Sequence, residues 1–173
     1  MQLSFAEIKT WQRFEDLVAA YFRRESLGAT VTTSGSGPDG GKDLIVRLDL
    51  GDAIAKYHRT WIVQCKFSTQ NVSPSDLSEN NIPTLIHANN AIGYLLICRN
   101  GVTAKLASQF TDLTRSCTFQ YRYCFWTGED FLQRLLPDND LLRQFFPKYY
   151  SFLKRKEHAH KKKRRTLPRG GRP

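Results

Sequence analysis

Residues 61–67, WIVQCKF, predict a β-strand that spans Thr60–Phe67. Successive side chains of a strand point to opposite faces, so one face of this strand is entirely apolar: Trp61, Val63, Cys65 and Phe67. Gln64 and Lys66 then point together from the other face. A lysine and an amide in an otherwise core-like strand are costly to desolvate without partners. We therefore treat Gln64 and Lys66 as candidate functional residues, the alternative being ordinary polar positions of an edge-facing strand.

Two acidic side chains are expected near this pair. Ser34–Gly41, SGSGPDGG, must form a loop because glycine and proline interrupt regular structure. Asp43 opens the next predicted strand, Asp43–Leu48. A helix is predicted over residues 8–25 from its apolar stripe, which consists of Trp11, Phe14, Val18, Tyr21 and Phe22. Glu15 lies beside this stripe, where a carboxylate needs a cation or a donor, so we expect it to face Asp43.

These four side chains together suit a divalent cation. The carboxylates of Glu15 and Asp43 and the amide oxygen of Gln64 are hard oxygen ligands of the kind that Mg²⁺ or Mn²⁺ prefers. Lys66 could position or activate an attacking water and stabilise the negative charge of a phosphorane-like transition state. Taken singly, Glu15 is as readily an ordinary helix acid and Asp43 a strand-start cap. A single metal site explains all four groups at once.

The remaining pattern predicts an α/β fold, a mixed β-sheet flanked by helices. A loop is expected over residues 49–59, between the predicted strands that carry Asp43 and Gln64. In chain order the elements read α-β-β-β-α-β-α-β-α, and a further helix follows the last of these. Besides those already named, they are a short strand Ala29–Thr33, a helix from Ser73 toward Asn89, a buried strand Gly93–Cys98, a helix Thr103–Arg115, a strand Tyr121–Trp126, a short helix opened by Thr127, and a last helix Asp138–Tyr149.

The net charge of +10 is concentrated at the C-terminal end. Residues 151–173 hold ten Lys or Arg and one acid, whereas residues 1–150 hold 16 basic and 15 acidic residues. We therefore predict a folded domain over 1–150 and a basic tail over 151–173 that is disordered when free, because it repels itself and lacks apolar anchors. A polyanion is the expected partner, since neutralised phosphates release counterions. The alternative is a merely solubilising end.

Several classes of protein are disfavoured. No stretch approaches the roughly 18 apolar residues of a membrane helix, and the N-terminus lacks a signal-peptide pattern, so we expect a cytoplasmic protein without membrane partners. The four cysteines contain no CxxC pair, which argues against a disulfide scaffold and a zinc ribbon. The glycine-rich loop does not match the P-loop pattern of NTPases, since Ser36 replaces its first glycine and Asp43 follows Lys42.

Three motifs together resemble the Mrr-like branch of the PD-(D/E)XK nuclease superfamily. They are FEDLV at residues 14–18, the glycine-rich Gly35–Ile45 with its DGGKD, and VQCK at residues 63–66. That branch commonly carries Gln in place of the second acid, which makes a D…QxK arrangement. The later segments follow the family's strand and helix order, so the resemblance covers about residues 8–136. It implies a restriction endonuclease-like αβββαβ core.

Carried onto this sequence, the resemblance implies a role for each candidate residue. Asp43 would be the central metal ligand, Gln64 the second ligand through its side-chain oxygen, and Lys66 the catalytic lysine. Glu15 matches the acid of the first helix that assists metal binding. Asp39 matches an auxiliary acid of the loop.

The implied function is that of a Mg²⁺- or Mn²⁺-dependent DNA endonuclease that restricts foreign DNA or defends against phage. Its predicted partners are DNA and, for cutting both strands, a second copy or a larger defence assembly. Two alternatives stay open: a DNA-binding module with an inactive nuclease core, since Gln64 replaces an acid, and an effector domain active only on assembly with a sensor. The predicted nucleic-acid contacts are Lys42, Lys161, Lys162, Lys163, Arg164 and Arg165.

Overall fold

The computed structural model describes residues 1–25, 29–33, 42–51 and 53–166. No helix in these ranges is long and apolar enough to cross a bilayer. Short 3-10 turns occur at Phe5–Glu7 and Pro74–Leu77. The other elements are α1 (Trp11–Glu25), β1 (Ala29–Thr33), β2 (Leu44–Gly51), β3 (Lys56–Lys66), α2 (Ile82–Ala88), β4 (Gly93–Cys98), α3 (Ala104–Ser116), β5 (Arg122–Trp126), α4 (Gly128–Leu135), α5 (Asn139–Phe145) and α6 (Pro147–Thr166).

The five strands form one mixed sheet in the order β1-β2-β3-β4-β5. β1, β2 and β3 are antiparallel neighbours, whereas β3, β4 and β5 run parallel. Parallel strands need a crossover connection, and here α2 and α3 supply the two crossovers. The predicted α/β class, a mixed sheet with flanking helices, is confirmed. β3 lies at the centre, paired with β2 on one edge and with β4 on the other.

Each face of the sheet has its own apolar core. The first core lies under α1, α4 and α5, and the second lies under α2 and α3. Val63 belongs to the first core and Ile62 to the second. The predicted apolar face of WIVQCKF is confirmed, because the other three members pack against the first core: Trp61, Cys65 and Phe67. Gln64 therefore points to the side of the second core.

β4 has the predicted bounds, and all six of its residues are buried. A strand covered by helices on both faces reads as a continuous apolar run. Gly93 is required at its start, where the chain passes very close to its neighbours. A Cβ atom there would lie 2.5 Å from the carbonyl oxygen of Arg122 and 2.8 Å from the ring of Trp61.

α1 packs on the first core through the predicted stripe, with one exception. Phe14 and Val18 are fully buried and Tyr21 nearly so, but Trp11 is 50% exposed. Helical side chains lean toward the N-terminus. Trp11 is the first residue of α1, so its side chain extends past the end of the helix. The prediction that Trp11 is a core residue is wrong.

The predicted loop over residues 49–59 is also wrong, because β2 and β3 continue through most of it. The two strands stay paired as far as Gly51 and Lys56. Leu50 and Tyr57 are cross-strand partners in this extension. A strand can form from such partly polar sequence when its backbone hydrogen bonds are satisfied by a neighbouring strand.

Two predicted helices are each divided. The segment from Ser73 to Asn89 forms the 3-10 turn Pro74–Leu77 and then α2, because Asn81 starts a new helix by accepting a hydrogen bond from the Thr84 N–H at 3.1 Å. The segment from Asp138 to Tyr149 is interrupted at Phe146, which is not helical. The residue before a proline disfavours the α conformation, and Pro147 follows it.

The expectation of a disordered tail over 151–173 differs from the structure, in which α6 continues to Thr166. Residues 167–173 lie outside the described part. Glu7 caps the start of α6, since its carboxylate accepts from the N–H groups of Lys148 at 2.8 Å and Tyr149 at 3.1 Å. Three apolar residues then pack against the first core: Tyr149, Tyr150 and Leu153. Lysine and arginine favour helices, so the helix continues from this anchored start through the basic residues. The division at residue 150 stays a prediction.

Candidate active site

The candidate site lies where β2 begins and β3 ends. The antiparallel ladder between these strands ends with the pair Leu44 and Val63. β3 continues to Lys66 and stays paired with β4 over these last residues. β2 therefore does not cover the final edge of β3, which consists of Gln64, Cys65 and Lys66.

Asp43 occupies this edge. Its backbone N–H donates to the carbonyl of Val63 at 3.0 Å, and its carboxylate Oδ2 accepts from the backbone N–H of Cys65 at 2.5 Å. The carboxylate thus takes the place of the carbonyl that another residue of β2 would have offered. Hydrogen bonds to an ionised group are short and strong, so the side chain of Asp43 is held at the end of the sheet.

Gln64 is buried, with 5% of its surface exposed. Its side-chain oxygen accepts a hydrogen bond from the hydroxyl of Tyr94 on β4 and a second from the side-chain amide of Asn80 at 3.4 Å. A buried amide requires such partners. The partners also specify an orientation in which the oxygen of Gln64 lies between two donors.

Glu15 and Asp43 approach the same thiol from two elements. Glu15 is half-buried on α1, whereas the neighbouring Asp16 is exposed. Burial raises the pKa of the Cys65 thiol well above its ordinary value, and the negative charges of Asp43 and Glu15 raise that pKa further. Both carboxylates therefore lie close to Cys65, and the thiol is neutral at physiological pH.

Lys66 is half-buried and shares a face of β3 with Gln64. Hydrogen bonds from the backbone and hydroxyl of Ser73 lower the pKa of Asp76, and the charge of Lys66 lowers that pKa further. Burial raises the pKa of Cys98 to about 12, an effect that Lys66 partly offsets. The ammonium group is therefore close to both Asp76 and Cys98.

The donor chemistry fits a hard divalent cation. Within the described ranges, no three His, Cys, Asp or Glu side chains form a metal-binding group. The amide oxygen of Gln64 would be the further oxygen ligand for a cation here, besides the carboxylates of Glu15 and Asp43. Mg²⁺ is usually held by one or two carboxylates with several waters, which this set allows.

The other predicted residues are only partly placed. Lys42 is half-buried beside Asp43. Asp39 and the rest of the loop Ser34–Gly41 lie outside the described residues. The basic run 161–165 belongs to the backbone of α6, but its side chains are not among those described. The roles of all these residues stay predictions.

Sequence reasoning missed four side chains around the site: Asp76, Asn80, Tyr94 and Arg99. The N–H of Arg99 donates to the carbonyl of Lys66 at 2.9 Å, and its guanidinium lies 4.4 Å from the ring centre of Phe67. The sequence does contain a signal for Tyr94, because a hydroxyl inside an apolar run such as Gly93–Cys98 needs a hydrogen-bond partner. Which partner it finds depends on the register of β3 and β4.

Comparisons with known proteins agree with this architecture. The family model described as restriction endonuclease, Mrr_cat, matches residues 7–131. That range holds all four residues of the candidate site: Glu15, Asp43, Gln64 and Lys66. Among curated protein sequences, none matches this chain.

Two solved structures share the fold. The DNA modification-dependent restriction endonuclease AspBHI has a TM-score of 0.55 at 16% identity, covering 83% of this chain and 35% of that chain. The MspJI restriction endonuclease in complex with a 27-mer oligonucleotide has a TM-score of 0.52 at 22% identity, covering 78% of this chain and 28% of that chain. This chain thus spans about a third of the length of each.

Proposed function

Because this chain belongs to the Mrr restriction endonuclease family, we propose that it is a divalent-cation-dependent endonuclease that hydrolyses phosphodiester bonds in DNA. The observation that supports this proposal most directly is the convergence of Asp43 and Glu15 on Cys65, next to Gln64 at the end of β3. Two carboxylates and an amide oxygen can hold a cation, and the cation and a lysine can stabilise the additional negative charge in the transition state of phosphodiester hydrolysis.

Each residue has a distinct part in the proposed reaction. Asp43, Glu15 and Gln64 would hold Mg²⁺ or Mn²⁺, with Asp43 oriented by its bond to the Cys65 N–H. When bound, the cation would lower the pKa of the water that it binds and neutralise negative charge on the scissile phosphate. Lys66 positions the attacking water, and its ammonium group balances the charge that develops on the phosphoryl oxygens.

DNA as the substrate is supported by the two structural neighbours. MspJI is described in complex with an oligonucleotide, and AspBHI is described as DNA modification-dependent. Since this chain spans only 35% and 28% of those two chains, the proposal covers DNA cleavage and leaves out recognition of a modified base. Restriction of foreign DNA or phage defence, in the cytoplasm, is the proposed setting.

Plasmid DNA tests the proposed activity. Wild-type protein is expected to nick or linearise a supercoiled plasmid with Mg²⁺ or Mn²⁺ and to leave it intact with EDTA, because the site needs a cation. Gel electrophoresis over time measures this. Salt-sensitive DNA binding without cleavage in any of several cations would contradict the proposal in favour of the inactive module. Cleavage only after forced dimerisation would favour the effector that acts on assembly.

The basic end of α6 is proposed to bind phosphates without reading sequence. Each phosphate contact contributes about 0.9 to the slope of log affinity against log salt concentration on duplex DNA. Replacing Lys161, Lys162 and Lys163 with glutamine should therefore make that slope shallower by up to about 3. Fluorescence anisotropy with a labelled duplex across a range of salt concentrations measures the slope.

A matched control removes the same number of charges elsewhere. Lys9, Lys105 and Arg115 are exposed and lie outside α6. Their triple glutamine variant should keep the wild-type slope. If both triple variants change the slope equally, general charge attraction explains the binding, and α6 has no special role.

A further inference from the structure

Tyr94 is a polar residue in the middle of the buried strand β4. None of its surface is exposed, and its hydroxyl donates to the side-chain oxygen of Gln64. In the parallel ladder, Ile62 is the partner of Tyr94, and Gln64 lies two residues further along the same face of β3. The side chain of Tyr94 therefore runs along the sheet from the second core to the candidate active site.

The amide of Gln64 has two ends with opposite properties. Its oxygen can bind a cation, whereas its NH₂ group donates two hydrogen bonds and cannot. A half-turn of the terminal amide would exchange the positions of the oxygen and the NH₂ group. A carboxylate at this position would not face this choice, because both of its oxygens can bind a cation. A glutamine in the site therefore needs a neighbour that selects the orientation.

The surroundings make Tyr94 such a neighbour. Its hydroxyl is enclosed in the sheet, with none of the residue's surface exposed, and it donates to the oxygen of Gln64. Asn80 donates to the same oxygen at 3.4 Å, a long bond from a half-buried residue. Since a carbonyl oxygen accepts two hydrogen bonds, the weaker Asn80 contact is the one that a cation can replace.

We propose that Tyr94 is a positioning residue that fixes the side-chain amide of Gln64 with its oxygen available to the cation. This inference rests on the proposed function, because it concerns the same site. It assigns no contact between Tyr94 and the substrate. The hydroxyl acts only through Gln64, as an outer partner that orients a ligand.

Tyr94→Phe removes the hydroxyl and keeps the ring. Loss of an outer partner commonly weakens metal binding 10- to 100-fold, so the variant should bind Mn²⁺ about tenfold more weakly or worse. Isothermal titration calorimetry without DNA measures this directly. The Mn²⁺ concentration for half-maximal plasmid cleavage should rise by a similar factor, while cleavage at saturating Mn²⁺ stays within about threefold of wild type.

Tyr123→Phe is the matched control. Tyr123 is the partner of Tyr94 in the β4–β5 ladder and is 6% exposed. Burial and the neighbouring Cys117 raise the pKa of its hydroxyl, and its strand, β5, lies on the opposite side of β4 from β3, which carries Gln64. This variant should bind Mn²⁺ like wild type. An equal loss of Mn²⁺ affinity in both variants would reduce the role of Tyr94 to general packing of the sheet.

A second comparison tests orientation itself. In a Gln64→Glu background the ligand has two equivalent oxygens, so removing the Tyr94 hydroxyl should change Mn²⁺ affinity by less than about twofold if orientation is its role. The same tenfold loss in that background would overturn the proposal. The double-mutant cycle thus separates positioning of the amide from any other effect of the hydroxyl.

The failures of the two proposals can be told apart. If wild-type protein binds no Mn²⁺, both the proposed metal site and the proposed role of Tyr94 are contradicted. If wild type binds Mn²⁺ and Tyr94→Phe binds it equally well, only the role of Tyr94 is overturned. Should Tyr94→Phe not fold, NMR of wild-type protein labelled with ¹⁵N-glutamine decides the question. A heteronuclear ¹⁵N NOE at the Gln64 side-chain amide as high as that of the backbone supports a fixed amide, and a low value contradicts it.

Discussion

Asp43→Asn protein is expected to cleave plasmid DNA about a hundred- to a thousandfold more slowly than wild type. Asparagine keeps the shape of the side chain, and its oxygen can still accept from the Cys65 N–H, so the end of the sheet is preserved. The negative charge that the cation requires is lost. Initial rates of plasmid nicking at a fixed Mg²⁺ concentration measure the effect.

Asp49→Asn is the control for this prediction. Asp49 lies on β2, the strand that follows Asp43, where it is exposed and forms an ion pair with Arg47 at 3.6 Å. Exposed pairs of this kind contribute about 0–1 kcal/mol, so the control should cleave like wild type. Undiminished cutting by the Asp43→Asn protein would remove Asp43 from the active site and with it the proposed ligand set.

Phe131→Ala is expected to lower the free energy of unfolding by about 3–5 kcal/mol. Phe131 on α4 is fully buried in the first core. Its ring lies 5.5 Å from that of Tyr21 and 6.1 Å from that of Phe14, both edge-on, and it stacks on Trp126 at 6.2 Å. The substitution leaves a cavity beneath α1, the helix that carries Glu15. Urea unfolding followed by circular dichroism measures the loss.

The matched control for this stability effect is Phe119→Ala. Phe119 is 70% exposed, and surface substitutions usually change stability by less than about 0.5 kcal/mol. A small effect at Phe131, similar to that at Phe119, would mean that the first core is loosely packed. Glu15 would then lack the rigid support that the candidate site requires.

Local pattern was sufficient to predict most of the elements. β1 and β4 have the predicted bounds, because β-prone runs between turn residues are short and clearly delimited. The alternation in WIVQCKF predicts correctly which of its side chains share a face, since a strand has a period of two whatever it pairs with. Among the residues of the candidate site, the common face of Gln64 and Lys66 follows from this period alone.

Where local pattern was insufficient, distant residues decide the structure. The extended ends of β2 and β3 contain charged residues, and they are strands because each pairs with the other. α6 is a helix in a region of high positive charge because its start is anchored by Glu7, which lies 141 residues before Lys148. The charge and composition of a segment do not reveal the contacts that distant residues make with it, and these contacts stabilise its structure.

The chemical groups of the site and the charge of the C-terminal end can be read directly from the amino acids. The arrangement of these groups in space cannot be read from the amino acids alone. The bond from the Cys65 N–H to Asp43 joins residues 22 positions apart, and the bond from Tyr94 to Gln64 joins residues 30 positions apart. Both bonds depend on strand register, and register follows from how helices and strands pack against two shared cores. No local period encodes that packing, so it emerges only when the whole chain has folded.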